Sequence, residues 1–354
     1  MHAPSVGEGL QARAVLELLR SPALQTAYTF FSPSAEQFAA GLADFVQYLP
    51  FDTSSAADRA LDALAPTALV FSKLDVWPTL VDHAAARHVR LGLISATLSP
   101  TSSRLHGLAR ALLRDAYARL DAVGAIAPDD ADRLVTLGVR PDAITVTGDT
   151  RYDQVWNRAQ NPTRPRPDSR PTIVAGSTWP SDERVLLSAW RTTKSRLVIA
   201  PHEPTPKHLS AIETWARSER IPFARLDDPA AATADLILVD RVGILGDLYS
   251  TADIAFVGGA FHRAGLHSVL EPAAFGVPVL FGPRYQDSRD AVSLLSHNAA
   301  STAATIDQLA ARLSDWLADD HARRQAGDAA RDVVRQGLGA AGRSAALVER
   351  LLAR

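Results

Sequence analysis

The sequence predicts an α/β protein of two doubly wound domains, each a parallel sheet with helices on both faces. Three observations predict it. Short apolar runs alternate one for one with amphipathic helical segments along most of the chain, the pattern of parallel strands joined by crossover helices. A polar, proline-rich stretch from Arg158 to Arg170, RAQNPTRPRPDSR, interrupts the alternation without any apolar period, as a linker does. The length, 354 residues, is large for one core and ample for two. The predicted division is an N-terminal domain at 1–157, a linker at 158–170 and a C-terminal domain at 171–354, whose last helices, from His321 onward, can pack back across the linker.

Taken in order, Ser5-Val-Gly-Glu8 leads into a first helix that runs to about Arg20. A doubly wound half begins with a buried strand before that first turn, and here the strand is missing or cut to a stub. Either the true start lies upstream or another element fills the gap. Strands are then expected at Thr26 to Phe30, Val46 to Leu49, Ala68 to Phe71, Leu91 to Ser95, Ala122 to Ala127 and Ile144 to Thr147. Helices are expected from Ser34, over Ser54 to Leu64, Val76 to Arg87, Ser102 to Leu120, and Asp129 to Leu137. A second series starts with a strand at Thr172 to Ala175 and runs to about Asp319.

Composition narrows the chemistry. With 37 basic and 39 acidic residues the chain is nearly neutral, which argues against a nucleic-acid protein driven by general phosphate attraction. It has no cysteine, so disulfides, thiolate nucleophiles and cysteine-ligated metals are excluded. No apolar run of about eighteen residues occurs, and the N-terminus lacks a basic head and an apolar signal core, so a cytoplasmic location is expected, at most peripheral on a membrane. The ten histidines show no HExxH spacing, and no metal site is predicted.

The most informative stretch is Asp253 to Arg284. A buried strand, Ile254 to Val257, ends in Gly258-Gly259, and a helix is expected to begin at Ser268, with Glu271 four residues after His267 on the same face. Glycines at the carboxyl end of a strand let a ligand approach, and the start of the following helix can hold phosphate. Glu271 could accept both hydroxyls of a ribose, an arrangement found in nucleotide-sugar glycosyltransferases with two Rossmann-like domains; a surface carboxylate is the alternative.

Two such domains create a cleft that needs a base on the acceptor side. Glu8, between Gly7 and Gly9, is the candidate, because a carboxylate can take the proton of an attacking alcohol without a metal. It could equally serve the helix dipole. Asp75 falls on the same rim, where it could also be a helix cap. Ala175-Gly-Ser-Thr178 follows the first strand of the second domain, and its hydroxyls and amides could bind phosphate or a sugar carboxylate. His202 follows the second strand there. Arg104, Arg110, Arg114 and Arg119 interleave with Leu105, Leu108, Leu112 and Leu113, so that helix either meets an anionic membrane or is a solvated outer helix.

These segments resemble the 3-deoxy-D-manno-octulosonic acid (Kdo) transferases. The matching stretches are His2-Ala-Pro-Ser-Val-Gly-Glu8, Thr29-Phe-Phe-Ser-Pro33, Tyr48-Leu-Pro-Phe-Asp52, Asp75-Val-Trp77, Gly148-Asp-Thr-Arg-Tyr-Asp153, Ala175-Gly-Ser-Thr-Trp-Pro180, Ala200-Pro-His-Glu203 and Gly265-Leu-His-Ser-Val-Leu-Glu-Pro272, in the family's order over almost the whole chain. The resemblance implies the two-domain GT-B architecture and an inverting transfer, without metal or cofactor, from the donor CMP-Kdo to a lipid A precursor at the cytoplasmic face of the inner membrane. It implies that Glu8 is the catalytic base, with Ser5 and Asp75 on the acceptor side. Ser177, Thr178, His202, Gly243, Ile244, Gly258, Gly259, Gly265, His267, Ser268 and Glu271 match positions around the donor. Many members carry arginine at the place of His202, glutamate at Ile244 and asparagine at Ser268. Other readings are another GT-B sugar transferase or epimerase, or a non-catalytic remnant that binds nucleotide.

Overall fold

The computed structural model describes residues 1–162, 164 and 169–353. Residues 163 and 165–168, inside the predicted linker, lie outside the described residues. The chain divides into two compact units, one made of Met1–Gln154 with Gly337–Arg354 and the other of Val155–Gln336. The final helix therefore belongs with the first unit, although the sequence alone runs the second domain through to residue 354.

The first unit contains α1 (Val6–Leu19), β1 (Ala27–Phe30), α2 (Glu36–Ala39), β2 (Phe45–Tyr48), α3 (Ser54–Leu64), β3 (Ala68–Ser72), α4 (Pro78–Ala86), β4 (Arg90–Ala96), α5 (Gly107–Ala118), β5 (Ala122–Ala125), α6 (Pro128–Leu137) and β6 (Ile144–Val146). The strands β3, β4, β5 and β6 form one parallel run in that order, and β1 pairs in parallel with β2. A one-residue stub joins the two runs. His2 donates its N–H to the Val70 carbonyl at 2.8 Å and accepts from Ser72 N at 3.0 Å, while Ala3 N donates to the Thr29 carbonyl at 3.0 Å. The expected first strand is thus a stub between β1 and β3. The His2 ring is buried beside Thr29 Oγ1, at 3.0 Å, and burial pulls its pKa down to about 3, so it is a neutral core residue.

The sheet of the first unit is covered by apolar faces of its own helices: Phe71, Leu91 and Leu93 pack with Leu80, Tyr117 and Leu134. Full burial of each such side chain contributes about 1.5–3 kcal/mol. The helix expected over Ser102 to Leu120 is broken instead, because Gly107 takes a φ of +55° and α5 starts there. The chain leaves this unit through α7 (Thr150–Gln160).

The second unit contains β7 (Thr172–Thr178), α8 (Pro180–Trp190), β8 (Arg196–Pro201), α9 (Pro206–Ser218), β9 (Phe223–Arg225), β10 (Leu236–Leu238), α10 (Leu245–Leu248), β11 (Ile254–Val257), α11 (Leu270–Ala274), β12 (Val279–Phe281), α12 (Arg289–Ser296), β13 (Ala300–Thr302), α13 (Ile306–Ala318) and α14 (Asp320–Gln336). Its seven strands are parallel in the order β13-β12-β11-β7-β8-β10-β9. The near-continuous apolar sequences of β7, β8 and β11 follow from burial on both faces. Strand order reverses on either side of β7, so the loops after β7 and β11 flank a topological switch point.

The last helix, α15 (Ala340–Ala353), returns to the first unit, where Ala345, Val348 and Leu351 pack against Val15, Val70 and Ile94. Its start is held by Asp153, whose carboxylate accepts from Gly339 N at 2.7 Å and Ala341 N at 2.9 Å.

Candidate functional site

In the first unit, chemistry-bearing side chains meet at the start of α1. Ser5 stands at the N-cap and donates its hydroxyl to Glu8 Oε2, while Lys73 Nζ lies 3.2 Å from Glu8 Oε1. Ser72 Oγ holds the Glu8 carbonyl at 3.0 Å, which ties this turn of α1 to the end of β3. Burial pushes the Glu8 pKa up, but the Ser5 hydroxyl and the Lys73 ammonium together outweigh it and leave the carboxyl below its usual range. Glu8 is therefore an ionised acceptor with most of its side chain sheltered from water, 13% exposed.

Lys73 has no place in the sequence-derived site. The signal was there: it is one of three lysines in the sequence, set immediately after a buried strand. Its φ of +68° is a conformation that L residues adopt at a cost, and it turns the chain at the strand's end. Asp75 follows two residues later and pairs with Arg104, 3.3 Å away; no hydrogen bond joins it to Glu8. A cavity of about 790 Å³ lies elsewhere in this unit, between β1 and β3, lined by residues such as Leu16, Leu19, Leu61 and Leu352 and by neither Glu8 nor Asp75. Chemistry places the candidate site at Glu8, not in that apolar space.

In the second unit, the loops after β7, β8 and β11 converge. Asp182, fully buried at the start of α8, accepts hydrogen bonds from Trp179 N at 2.8 Å, Gly259 N at 2.9 Å and Phe261 N at 3.0 Å. One carboxylate thus fastens the loop after β11 to the loop after β7. Sequence reasoning missed Asp182, although an acidic residue in the first turn of a helix suits its free N–H groups and dipole.

The paired glycines are required by the protein's own backbone. A Cβ on Gly258 would stand 2.4 Å from the Ser177 carbonyl oxygen, and one on Gly259 would stand 2.1 Å from that of Gly265, at a φ of +97°. Ser177 itself has a φ of +54°. Thr178 is buried and donates its hydroxyl to Glu183 at 2.8 Å. His202 N donates to the Thr178 carbonyl at 2.9 Å and its ring is exposed. His267 N donates to the Gly258 carbonyl at 3.1 Å, so residues 267 to 269 are held as loop and α11 starts at Leu270 and not at the expected Ser268. Ser268 is exposed in that loop, and Gly265 turns it with a φ of +88°.

Glu271 lies in the first turn of α11 and is the titratable centre of a second group. Burial raises its pKa, nearby Arg158 opposes and Asp247 adds to the rise. Arg158 Nη1 is 3.6 Å from Glu271, and Arg158 Nε donates to Asp247 Oδ1 at 2.8 Å. Gly243, with a φ of +90°, and Ile244 precede α10, the helix that carries Asp247, and Ile244 is its partly buried cap. Arg158 was read from sequence only as the edge of a linker; α7 carries it into the second unit.

Residues 1–154 match the family model described as 3-deoxy-D-manno-octulosonic-acid transferase (kdotransferase). Along the full chain, the sequence is 25% identical to the 3-deoxy-D-manno-octulosonic acid transferase of Haemophilus influenzae, covering 96% of this chain and 84% of that one. The transferase of the same description from Bordetella pertussis is 29% identical over 92% of this chain and 80% of its own. Over most of its length the chain is thus similar to Kdo transferases. Among solved structures, the UDP-GlcNAc 2-epimerase of Neisseria meningitidis bound to UDP-GlcNAc superposes with a TM-score of 0.70 at 13% identity, covering 100% of this chain and 99% of that one. That likeness shows the fold, GT-B with two Rossmann-like units, which this Kdo transferase relative shares with epimerases. No helix among the described residues is long and apolar enough to cross a membrane.

Proposed function

We propose that the protein transfers Kdo from CMP-Kdo to a lipid A precursor, with inversion and without a metal or other cofactor. The carrying observation is Glu8, an ionised, sheltered carboxylate held in place by Ser5 and Lys73 in the unit that matches the transferase family. Glu8 takes the proton of the acceptor hydroxyl as its oxygen bonds to the anomeric carbon of Kdo; the bond from that carbon to the phosphate oxygen breaks, and CMP leaves with the electron pair. Asp75 belongs to the acceptor side.

The donor is assigned to the second unit. Glu271 accepts from the ribose hydroxyls, and the loops carrying Ser177, His202, Gly258, Gly259, Gly265, His267 and Ser268 surround the rest of the nucleotide, as do Gly243 and Ile244. Thr178 serves from behind, through Glu183. The α11 helix has five residues, too short for its N-terminus to be the phosphate site, so side chains and loop amides take that role. A peripheral place on the cytoplasmic face of the inner membrane is supported by α5, where Leu108 and Leu112 are 75% and 66% exposed beside exposed Arg110 and Arg114.

The test is CMP release from CMP-Kdo with and without a tetra-acylated lipid A precursor, for the wild type and Glu8→Ala. Release that depends on the acceptor and is lost in the variant is expected. A wild type that binds CMP and transfers nothing would leave a nucleotide-binding protein in place of the enzyme.

A further inference from the structure

Four aromatic rings gather at the loops after β7, β8 and β11. His262 stacks on Trp179 at 4.3 Å between centroids and 12° between planes. His202 stacks on Trp179 at 4.8 Å and 29°, and on His267 at 4.4 Å and 26°. Between Trp179 and His267 runs a hydrogen bond of 3.2 Å, from indole Nε1 to imidazole Nε2. No sequence reading assigned a role to Trp179 or His262.

That hydrogen bond has one chemical solution. An indole N–H only donates, so His267 Nε2 must carry a lone pair. A neutral imidazole with a bare Nε2 has its proton on Nδ1. A second proton on the ring would set two N–H groups against each other. Both partners are fixed from behind by one buried carboxylate, because Asp182 binds Trp179 N as well as Gly259 N and Phe261 N of the loop that leads to His267. The backbone of His267 is itself tied to the Gly258 carbonyl.

We propose that Trp179 is a positioning residue that holds His267 as the neutral Nδ1–H tautomer, so that Nδ1–H donates to an anionic oxygen of the nucleotide sugar. This rests on the donor reading given above. The surroundings agree: burial lowers the His267 pKa, His202 and His262 add to the lowering, and Asp182 opposes it. Those three are the titratable groups that act on the ring. A donor that stays neutral keeps its hydrogen bond unchanged through the range where an ordinary histidine titrates.

The experiment reads the tautomer directly, by long-range 1H–15N NMR of the 15N-labelled full chain at neutral pH, first alone and then with CMP. The expected wild-type signal for His267 is the Nδ1–H pattern, with Nδ1 shifted on CMP binding. In Trp179→Phe, which keeps a ring in the stack and removes the donor, the Nε2–H form is expected to appear and the His267 pKa to rise. KM for CMP-Kdo should increase about tenfold while kcat changes less, the loss of one hydrogen-bond partner's worth of positioning. An Nε2–H or cationic His267 in the wild type overturns the inference, and needs no variant to be seen. So does an Nδ1 signal that ignores CMP while calorimetry shows CMP bound. A wild type to which CMP does not bind at all sinks the donor reading itself, and the inference with it.

Discussion

Lys73 Nζ stands 3.2 Å from Glu8 Oε1, and a residue outside every sequence motif thereby helps to keep the proposed base ionised. The Ser5 hydroxyl acts on the other carboxylate oxygen. Burial alone would protonate Glu8 more readily; these two partners reverse the sign. An acid whose folded pKa is depressed is ionised down to lower pH, and its stabilising share is present above the unfolded value and lost as pH falls through the folded one.

Replacing Lys73 with Met should therefore move the acid limb of the rate profile to higher pH, because burial is then opposed only by the Ser5 hydroxyl and a backbone N–H. Activity at high pH should suffer less than activity at low pH. An acid limb that does not move would mean that Lys73 does not govern Glu8.

Glu8→Gln keeps the shape and removes the base. Transfer should fall by roughly 10²–10⁴-fold, the usual share of a positioned general base. CMP affinity, measured by calorimetry, should be unchanged, since Glu8 lies in the unit to which the donor is not assigned.

Glu271→Gln should separate binding from stability. A raised folded pKa means that the folded state holds the proton more tightly than the unfolded state. Its favourable share is full below the ordinary carboxylate value and lost as pH rises through the raised one. The neutral amide removes this dependence, so thermal stability at neutral pH should hold or rise. CMP affinity should drop by about 10–100-fold, the worth of hydrogen bonds to a charged acceptor. Equal affinity in the variant would remove the ribose from Glu271.

Asp182→Ala should be costly without touching a substrate. It leaves three backbone N–H groups without their acceptor in a buried place, at about 1–3 kcal/mol each where water cannot enter. A clear fall in the midpoint of urea unfolding is expected. Gly259→Ala should act on the same loop, since its Cβ meets a carbonyl oxygen at 2.1 Å and its φ is +97°.

Much of this protein is legible from its residues. The strands of the second unit are apolar runs bounded by turn residues, and β7, β8 and β11 follow from that local pattern because burial on both faces leaves no alternation to confuse. The end of β11 in two glycines and the carboxylate of Glu271 are likewise local signals. The start of α11 was not legible, because it depends on a hydrogen bond from His267 N to Gly258, a partner nine residues back.

The alternation of elements, the family motifs and the suitable chemistry of Glu8, His202, His267 and Glu271 are read from the residues alone. These rest on spacing along the chain, which the sequence contains. Which groups act on them depends on the fold. Lys73 reaches Glu8 across 65 positions, Trp179 reaches His267 across 88, and α15 joins a sheet that begins at the other end of the chain. Such partners are chosen by the order and twist of strands and by burial, which remove water from some charges and leave others solvated. A pKa, a tautomer or a base depends on that removal, and no local spacing encodes it.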